Sequence, residues 1–228
     1  HPSKVDIGPI NTMISSNYID GLRLRASAQT TANLNPNLFF KGYYAYGFKD
    51  HRSKGMAEVE YSFDKKEYLP REFPKHSITG TFKYDVIAPT DKFLKTDKDN
   101  VFTSFKTTTV DQMMYERDIS LKYERETEYG LKTTIQLRNT NDEPTGKLVY
   151  LRNNAERTLV RDITTTEASL SFRYAPGETF INTKQRRIPV SLDAPVFTLS
   201  HTTGFKGVLG GEYNYNLTEA GIYKRFWF

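Results

Sequence analysis

The sequence predicts an all-β fold, an antiparallel transmembrane β-barrel or barrel segment of about ten meandering strands, and three observations predict it. Apolar and polar residues alternate with a period of two almost from end to end, which is the pattern of a strand with two unlike faces. Several alternating runs are long: strands of globular proteins average roughly 5–6 residues, whereas bilayer-spanning strands need about 9–11. Tyr and Phe recur near the ends of these runs, and aromatic residues make up 14% of the chain.

Four alternating runs lie in the first 90 residues or so and four lie beyond a long gap. The apolar positions of the first four runs are Leu22, Leu24, Ala26 and Ala28; Leu38, Phe40, Gly42, Tyr44, Tyr46 and Phe48; Ala57, Val59, Tyr61 and Phe63; and Ile78, Gly80, Phe82, Tyr84 and Val86. Those of the last four are Ile119, Leu121 and Tyr123; Tyr129, Leu131, Thr133, Ile135 and Leu137; Ala168, Leu170, Phe172 and Tyr174; and Ala220, Ile222, Phe226 and Phe228. Two weaker strand candidates are Lys147–Arg152 and Pro195–Gly204.

The connections between the runs alternate between tight and long. Turn-forming residues predict tight turns at Asp50–Ser53, Glu126–Glu128 and Asn141–Thr145. The long connections are Lys65–Lys75, Ala88–Gln112 and Pro176–Leu192, and no capped stretch of helical period occurs. Residues 1–19 alternate little and are predicted to be a linker or irregular N-terminal segment, and residues 20–228 form the predicted barrel segment.

Composition and charge exclude several classes of protein. The 228 residues contain no cysteine, which excludes a disulfide scaffold and a Cys-ligated metal site. No stretch approaches the about 20 apolar residues of a membrane-spanning helix, and the aromatic content disfavours disorder. The net charge is +5, but its 32 basic and 27 acidic residues are interspersed, so no nucleic acid partner is expected.

Alternation alone fits two architectures, because the two faces of the sheet can meet different solvents. In a soluble β-sandwich the apolar face is buried, whereas in an outer-membrane barrel the apolar face meets lipid and the polar face lines the interior. Strand length, aromatic residues at strand ends (among them Tyr115) and paired opposite charges on the polar positions, such as Arg23 and Arg25 near Glu58 and Glu60, favour the barrel.

We therefore predict which side chains face outward and which face inward. The expected outward belt is Leu22, Leu24, Phe40, Tyr44, Val59, Phe82, Leu121, Ile135, Leu170 and Phe172. The side chains expected inside are Arg23, Arg25, Lys41, Glu58, Glu60, Lys83, Lys122, Lys132 and Arg173. Because outer-membrane barrels keep their periplasmic turns short, Ala88–Gln112 is expected outside the cell together with Asp50–Ser53, and Lys65–Lys75 inside.

Five segments resemble barrels of the BamA-like surface-antigen superfamily: Gly21–Arg25, Leu38–Asp50, Ala194–His201, Gly204–Gly207 and Tyr213–Phe228. Within that superfamily the chain is most similar to an uncharacterised outer-membrane family of Bacteroidota whose members carry a carboxypeptidase-regulatory-like domain before the barrel. The resemblance implies a β-barrel in the outer membrane and includes no catalytic motif. The superfamily's inward Arg-Gly-aromatic loop motif is not recognisable here, so the resemblance does not imply that this chain assembles other barrels.

No catalytic, cofactor-binding or metal-binding residue is predicted. The histidines, His1, His51, His76 and His201, lack the spacing of metal ligands. An acidic loop with Asp91, Asp97, Asp99 and Asn100 lacks the spacing and glycine of an EF-hand. Ser200 and His201 are adjacent in a predicted strand, so they point to opposite faces and cannot act as nucleophile and base. Gly207–Gly211 is not followed by a helix, and a turn before the last strand explains it better than a phosphate site.

The sequence thus predicts a structural outer-membrane β-barrel protein that is not an enzyme, with transport and assembly as its candidate roles and no cofactor. Its expected partners are the lipid bilayer of the outer membrane and other outer-membrane or periplasmic proteins. The alternatives are a barrel enzyme acting on lipid and a soluble all-β binding module. Because the superfamily's barrels are larger, and the ending Lys224–Phe228 departs from the usual terminal signal, we expect an open sheet whose first and last strands do not pair.

Overall fold

Antiparallel strand pairing organises the chain. The computed structural model describes residues 3–93, 110–153, 155–183, 187–190 and 194–225. Within these residues it has no α-helix and two short 3-10 helices, Ile10–Thr12 and Pro89–Phe93. The strands are β1 (Val5–Ile7), β2 (Ile14–Asn17), β3 (Gly21–Thr30), β4 (Leu38–Gly47), β5 (Ser53–Ser62), β6 (His76–Ile87), β7 (Gln112–Glu126), β8 (Leu131–Gly146), β9 (Tyr150–Leu151), β10 (Leu159–Val160), β11 (Ile163–Tyr174), β12 (Phe180–Asn182), β13 (Arg187–Pro189), β14 (Val196–Gly204) and β15 (Tyr215–Tyr223).

One 11-stranded sheet contains all of the long strands. Its order is β1, β3, β4, β5, β6, β7, β8, β11, β14, β15, with β2 also paired to β3. The predicted meander is therefore confirmed. Among the described residues no ladder joins β15 to β1, β2 or β3, so the sheet is open, as expected. Two small hairpins, β9–β10 and β12–β13, interrupt the connections on either side of β11.

Most predicted strands coincide with observed ones, and one predicted turn is wrong. The weaker candidate Pro195–Gly204 is strand β14, whereas Lys147–Arg152 contains only the two residues of β9. The predicted turn Asn141–Thr145 lies inside β8. The reason is the partner strand: β7 begins at Gln112, well before its alternating run, and its backbone pairs with β8 as far as Gly146. A continuous ladder therefore overrides the local turn preference of these residues.

The N-terminal segment predicted to be a linker or irregular lies along one edge of the sheet. Strand β1 pairs with the second half of β3, from Ala28 to Thr30, and β2 pairs with the first half, from Gly21 to Leu24. The 3-10 turn Ile10–Thr12 joins the two short strands. Residues 3–19 therefore pair with the edge of β3 that β4 leaves free.

The solvent exposure of the two faces is the reverse of that in a soluble β-sandwich, where the apolar face is buried. We call the face that carries the ten predicted outward residues the apolar face, and every one of these residues is at least 37% exposed. The other face, the polar face, carries the nine charged residues predicted inside, and each of them is buried or half-buried. Arg23 is only 8% exposed and Leu121 is 48% exposed. Charge is therefore withdrawn from solvent while large apolar side chains are presented to it.

The small apolar core lies at one end of the sheet, which we call the Asp50 end. Buried Ile19, Val86, Met113 and Tyr115 cluster there. The opposite end, with the β7–β8 turn, is the Gly130 end. Tyr115 was expected among the exposed aromatic residues at strand ends, and this expectation is wrong, because its ring packs in the core cluster and is 4% exposed.

Two glycines with positive φ allow a test of backbone packing at the Gly130 end. An added Cβ at Gly130 (φ 79°) would lie 2.5 Å from the Ala175 carbonyl oxygen, whereas at Gly177 (φ 76°) it would meet nothing within 4 Å. Gly177→Ala should cost about 1–2 kcal/mol for the left-handed backbone alone. Gly130→Ala should cost about 1–3 kcal/mol more, because the turn must also shift. Urea unfolding followed by circular dichroism measures both, and equal losses would contradict the close contact.

Candidate functional site

A triad of charged groups is buried on the polar face at the Asp50 end. The Lys54 ammonium lies 2.6 Å from the Asp50 carboxylate and also forms an ion pair with Asp20. The side chains of Lys54 and Asp20 are completely buried. Tyr115 donates a hydrogen bond of 2.7 Å to the same Asp50 oxygen. The β2–β3 turn, the β4–β5 turn and strands β5 and β7 are thereby linked through one buried cation.

Next to this triad, Arg23 and Asp85 form a bidentate ion pair. The guanidinium donates to both carboxylate oxygens at 2.6 and 2.8 Å, and the Tyr43 hydroxyl donates to Asp85 at 2.5 Å. Arg23 lies on β3 and Asp85 on β6, so two strands separate them. Three strand spacings amount to about 14 Å on a flat sheet. Because the side chains meet directly, the sheet is bent and the polar face is its concave side.

The expected pairing of Arg23 with Glu60 is wrong, because each has another partner. The register places Arg23 opposite Gly47 and Glu60 opposite Phe39, which lies toward the other end of β4. Glu60 instead forms an ion pair with Lys75 from the β5–β6 connection. Arg25 stacks over the Tyr43 ring, with 3.8 Å between the guanidinium carbon and the ring centroid.

A second cluster surrounds Glu116 on β7. Lys83, Lys92 and Arg138 lie 3.5, 3.8 and 3.5 Å from its carboxylate oxygens. Arg138 also pairs with Asp118 at 2.7 Å, and Lys92 pairs with Asp142. These contacts join β6, β7, β8 and the 3-10 helix that follows β6.

A third group of ion pairs lies toward the Gly130 end. The Glu124 carboxylate is 2.8 Å from Lys122 and 3.1 Å from Lys132. Arg187 of the β12–β13 hairpin lies 2.7 Å from Glu126, and this pair attaches the hairpin to the sheet. The polar face thus carries opposite charges in contact along its whole length.

These three clusters link neighbouring and distant strands of the sheet through matched charges. Breaking a buried ion pair by removing one partner is costly because it leaves an uncompensated charge, so such groups persist as matched sets. In the part of the chain that the structure describes, no group of three or more His, Asp or Glu side chains could hold a metal ion. The network fixes the curvature of the sheet, because the Arg23–Asp85 pair joins strands that are not neighbours.

The residues considered as metal ligands or catalytic groups each have different neighbours. His76 accepts or donates a 3.1 Å hydrogen bond to the Tyr123 hydroxyl, and its ring stacks on Phe63. His201 contacts the Thr218 hydroxyl at 2.7 Å, whereas Ser200 contacts Glu219, so these neighbours do point to opposite faces. His1 and the loop residues Asp97, Asp99 and Asn100 lie outside the described residues. The glycine-rich segment Gly207–Gly211 forms a turn between β14 and β15, as predicted, in which the Gly207 amide donates to the Gly211 carbonyl at 2.7 Å.

Sequence reasoning missed Lys54, Asp20 and Asp50 as members of the network. Lys54 precedes the alternating run that begins at Ala57, although counting back in steps of two from Glu58 places it on the polar face. Asp20 and Asp50 lie in turns, where acidic residues are common for local reasons. Their contact with Lys54 depends on the curvature of the sheet, for which the sequence carries no direct signal.

The fold and the network define a class of protein, an antiparallel all-β protein with one long sheet whose charged face is its buried face. Within this class the chain belongs to a family of unknown function, DUF5686, because the model of that family's C-terminal domain matches residues 2–228. No curated protein and no solved structure matches the chain.

No helix among the described residues is both long enough and apolar enough to cross a membrane.

Removing the Lys54 charge tests the triad. Lys54→Met leaves two carboxylates buried without their cation, so the free energy of unfolding should fall by about 3–5 kcal/mol. Lys147→Met is the matched control, because Lys147 also pairs with an aspartate, Asp111, but its side chain is 69% exposed. This control should cost about 0–1 kcal/mol. Urea unfolding of both variants measures the difference, and a loss for Lys54→Met as small as that of the control would contradict a stabilising triad.

The pH dependence of stability tests the ionisation of Asp50. Burial acts to raise the pKa of Asp50, but hydrogen bonds from Lys54, Tyr115 and the Arg52 amide outweigh it, so the pKa lies below its ordinary value. A lowered folded pKa stabilises the fold above the unfolded pKa of about 3.9, and this stabilisation is lost as the pH falls through the folded pKa. The difference in unfolding free energy between wild type and Asp50→Asn should be constant above about pH 5 and shrink below about pH 4. A difference that grows in acid would refute this ionisation.

Proposed function

We propose that this chain is a β-barrel segment of the outer membrane, a structural protein whose intact form serves transport or assembly, with its apolar face against lipid and its polar face toward the interior. One observation carries the proposal: charged side chains are buried on one face of the sheet while large apolar side chains are exposed on the other. Antiparallel outer-membrane barrels have this arrangement, with an outward apolar band and a polar interior.

The exposed apolar residues form a continuous surface rather than scattered positions. The ladders place Phe40 opposite Val59, Phe82 opposite Ile119 and Leu121 opposite Leu137, so each apolar side chain has another beside it on the next strand. Soluble monomers rarely expose contiguous apolar patches larger than a few hundred Å². Here the exposed apolar residues cross the sheet from β3 to β14, and contact with lipid acyl chains removes the cost of exposing them.

The concave polar face supports the same arrangement. Its arginine, lysine and carboxylate side chains converge on one another inside the curve of the sheet, as in Arg23 with Asp85 and Arg138 with Asp118. A sheet bent toward its charged face encloses a polar interior when it closes. One arrangement therefore explains both why the polar face is buried and why the apolar face is exposed. A soluble sandwich would instead bury the apolar face.

The open edges require partner strands if the sheet spans a bilayer. Backbone N–H and C=O groups without partners in hydrocarbon cost several kcal/mol each. Strand β15 has β14 on one side and no partner among the described residues on the other. We therefore propose that further strands complete the barrel next to β15 and next to the β1–β2 edge.

The connections divide between the two ends of the sheet, and this division supports a proposed sidedness. The β4–β5 turn and the connections 88–111, 147–162 and 205–214 lie at the Asp50 end, and Lys65–Lys75 and the connection 175–195 lie at the Gly130 end. We place the Asp50 end outside the cell, because it carries the longest connection, 88–111, and outer-membrane barrels carry their longer loops there. Residues 94–109, most of the predicted extracellular loop, lie outside the described residues.

Quenching of a fluorescent label by nitroxide-bearing lipids tests the proposal at two neighbouring residues of β8. Ile135 is exposed on the apolar face and Gln136 is half-buried on the polar face. Because the chain has no cysteine, Ile135→Cys and Gln136→Cys each provide one labelling site in the full-length protein, with any cysteine elsewhere replaced by serine. In phosphatidylcholine vesicles that carry acyl-chain nitroxides, a fluorophore at 135 should be quenched strongly and one at 136 weakly. Equal, weak quenching at both positions would overturn a lipid-facing apolar face.

A charge on the apolar face should be costly only where lipid is the solvent. Leu121→Arg should lower the free energy of unfolding in vesicles by about 2–4 kcal/mol, as for cations at the bilayer midplane of a barrel. The control is Leu159→Arg on β10, because Leu159 is 75% exposed and lies outside the main sheet. An exposed surface position in water should change stability by less than about 0.5 kcal/mol. Similar small losses for both variants would contradict the proposal.

A further inference from the structure

The connection between β14 and β15 folds back over the sheet. The Phe205 amide donates to the Thr166 carbonyl at 2.9 Å, and the Glu212 amide donates to the Thr164 carbonyl at 3.0 Å. Both contacts continue the pairing of β14 with β11 beyond Gly204. The residues between them form a compact excursion, and we call residues 205–212 the clasp.

The clasp lies on the apolar face, not over the concave polar side. Thr166 donates from its hydroxyl to the Val208 carbonyl at 2.7 Å, and the Asn139 amide donates to the Leu209 carbonyl at 3.1 Å. Thr166 and Asn139 are directly paired across β11 and β8. Thr166 lies two positions before Ala168 and Asn139 lies two positions after Leu137, so both belong to the apolar face.

These contacts bury two polar side chains at the edge of the apolar surface. Asn139 is 7% exposed and Thr166 is 8% exposed, because the clasp covers them. Both would otherwise present hydrogen-bonding groups next to the outward residues Leu137 and Ala168. An unpaired polar group in an apolar medium costs several kcal/mol. The clasp carbonyls therefore satisfy the side chains that interrupt the apolar face.

The clasp presents apolar side chains of its own. Val208 is 48% exposed and Leu209 is 75% exposed. Leu209 adopts a left-handed backbone (φ 46°), which is uncommon for a leucine and holds the tip of the turn. Gly211 is packed so closely that an added Cβ would clash with the Phe205 carbonyl oxygen. An exposed Val-Leu pair on a constrained backbone needs an apolar contact to explain it.

The height of the apolar face supplies that explanation. On β4 the apolar positions run from Leu38 to Phe48, about 34 Å along the strand and about 25 Å after a tilt of about 40°, which matches the apolar band of outer-membrane barrels. On β11 they run only from Ala168 to Tyr174, about 20 Å along the strand and about 15 Å after the same tilt. The clasp lies over Thr164 and Thr166, where β11 falls short.

From this geometry we infer that the clasp is a membrane-interface anchor, and that Val208 and Leu209 insert into the boundary between lipid headgroups and acyl chains at the Asp50 end. This inference rests on the proposed function, since it takes the apolar face as the lipid-facing surface. Val208 and Leu209 continue that surface past the polar residues on β8 and β11. Lys206 within the clasp is exposed and can reach lipid phosphate groups.

Depth-resolved quenching in the full-length protein tests the anchor. Single-cysteine variants Leu209→Cys, Ile135→Cys and Arg161→Cys carry a fluorophore in phosphatidylcholine vesicles, with nitroxides placed either near the headgroup or deep in the acyl chain. Arg161 is the control, because it is exposed at the same end of the sheet outside the clasp. The label at 209 should be quenched by the shallow nitroxide, the label at 135 by the deep one, and the label at 161 by neither.

A backbone variant separates insertion from chance proximity. Gly211→Ala should displace the clasp, so the label at 209 should lose its shallow quenching while the label at 135 keeps its deep quenching. Gly80→Ala is the matched control, because a Cβ there meets nothing within 4 Å. A label at 209 that is as unquenched as that at 161, with 135 quenched, overturns the anchor and leaves the proposed function intact. An unquenched label at 135 overturns the proposed function and the anchor with it.

Discussion

The pairing of buried charges is the constraint on which the rest of this structure depends. Lys54 and Arg23 lie among the most buried side chains, and each requires carboxylates from other elements, Asp20 and Asp50 for the first and Asp85 for the second. The Arg23–Asp85 pair joins strands that are not neighbours in the sheet, so it can form only if the sheet curves toward the polar face. An uncompensated charge would cost several kcal/mol. The network and the curvature therefore imply each other.

Once the charges occupy the concave side, the apolar side chains have only the convex side left. Residues alternate strictly between the faces of a strand, so each inward charge on β3 to β8 sends its neighbours outward. The large apolar side chains are therefore exposed on the convex side. Where the strict alternation is interrupted by Asn139 and Thr166, the chain supplies carbonyl groups from the clasp. The connection after β14 thus pairs the two polar side chains that interrupt the apolar positions of β8 and β11.

The sequence predicted the strands and their faces because both follow from local alternation. It did not predict which charges meet, because partners such as Arg23 and Asp85 are set by the register and curvature of several strands together. Local signals also failed where a neighbouring strand decided the outcome. Asn141–Thr145 has the composition of a turn but lies in β8, opposite the first part of β7. Residues 5–7 and 14–17 alternate too briefly to predict strands, yet the free edge of β3 pairs with both.

The polar face changes in character across the sheet, and this change has a physical consequence. From β3 to β8 it is crosslinked by ion pairs between charged side chains. On β11 its positions are Glu167, Ser169, Ser171 and Arg173, and Arg173 pairs with Glu178 just beyond the strand. On β14 they include Thr198, Ser200 and Thr202, whose hydroxyl groups carry no charge and bond readily to water. Hydroxyl groups do not impose the close approach of distant strands that matched charges do. The ion pairs therefore fix the curvature of the first half of the sheet, from β3 to β8, and the hydroxyl groups of β11 and β14 add little to it.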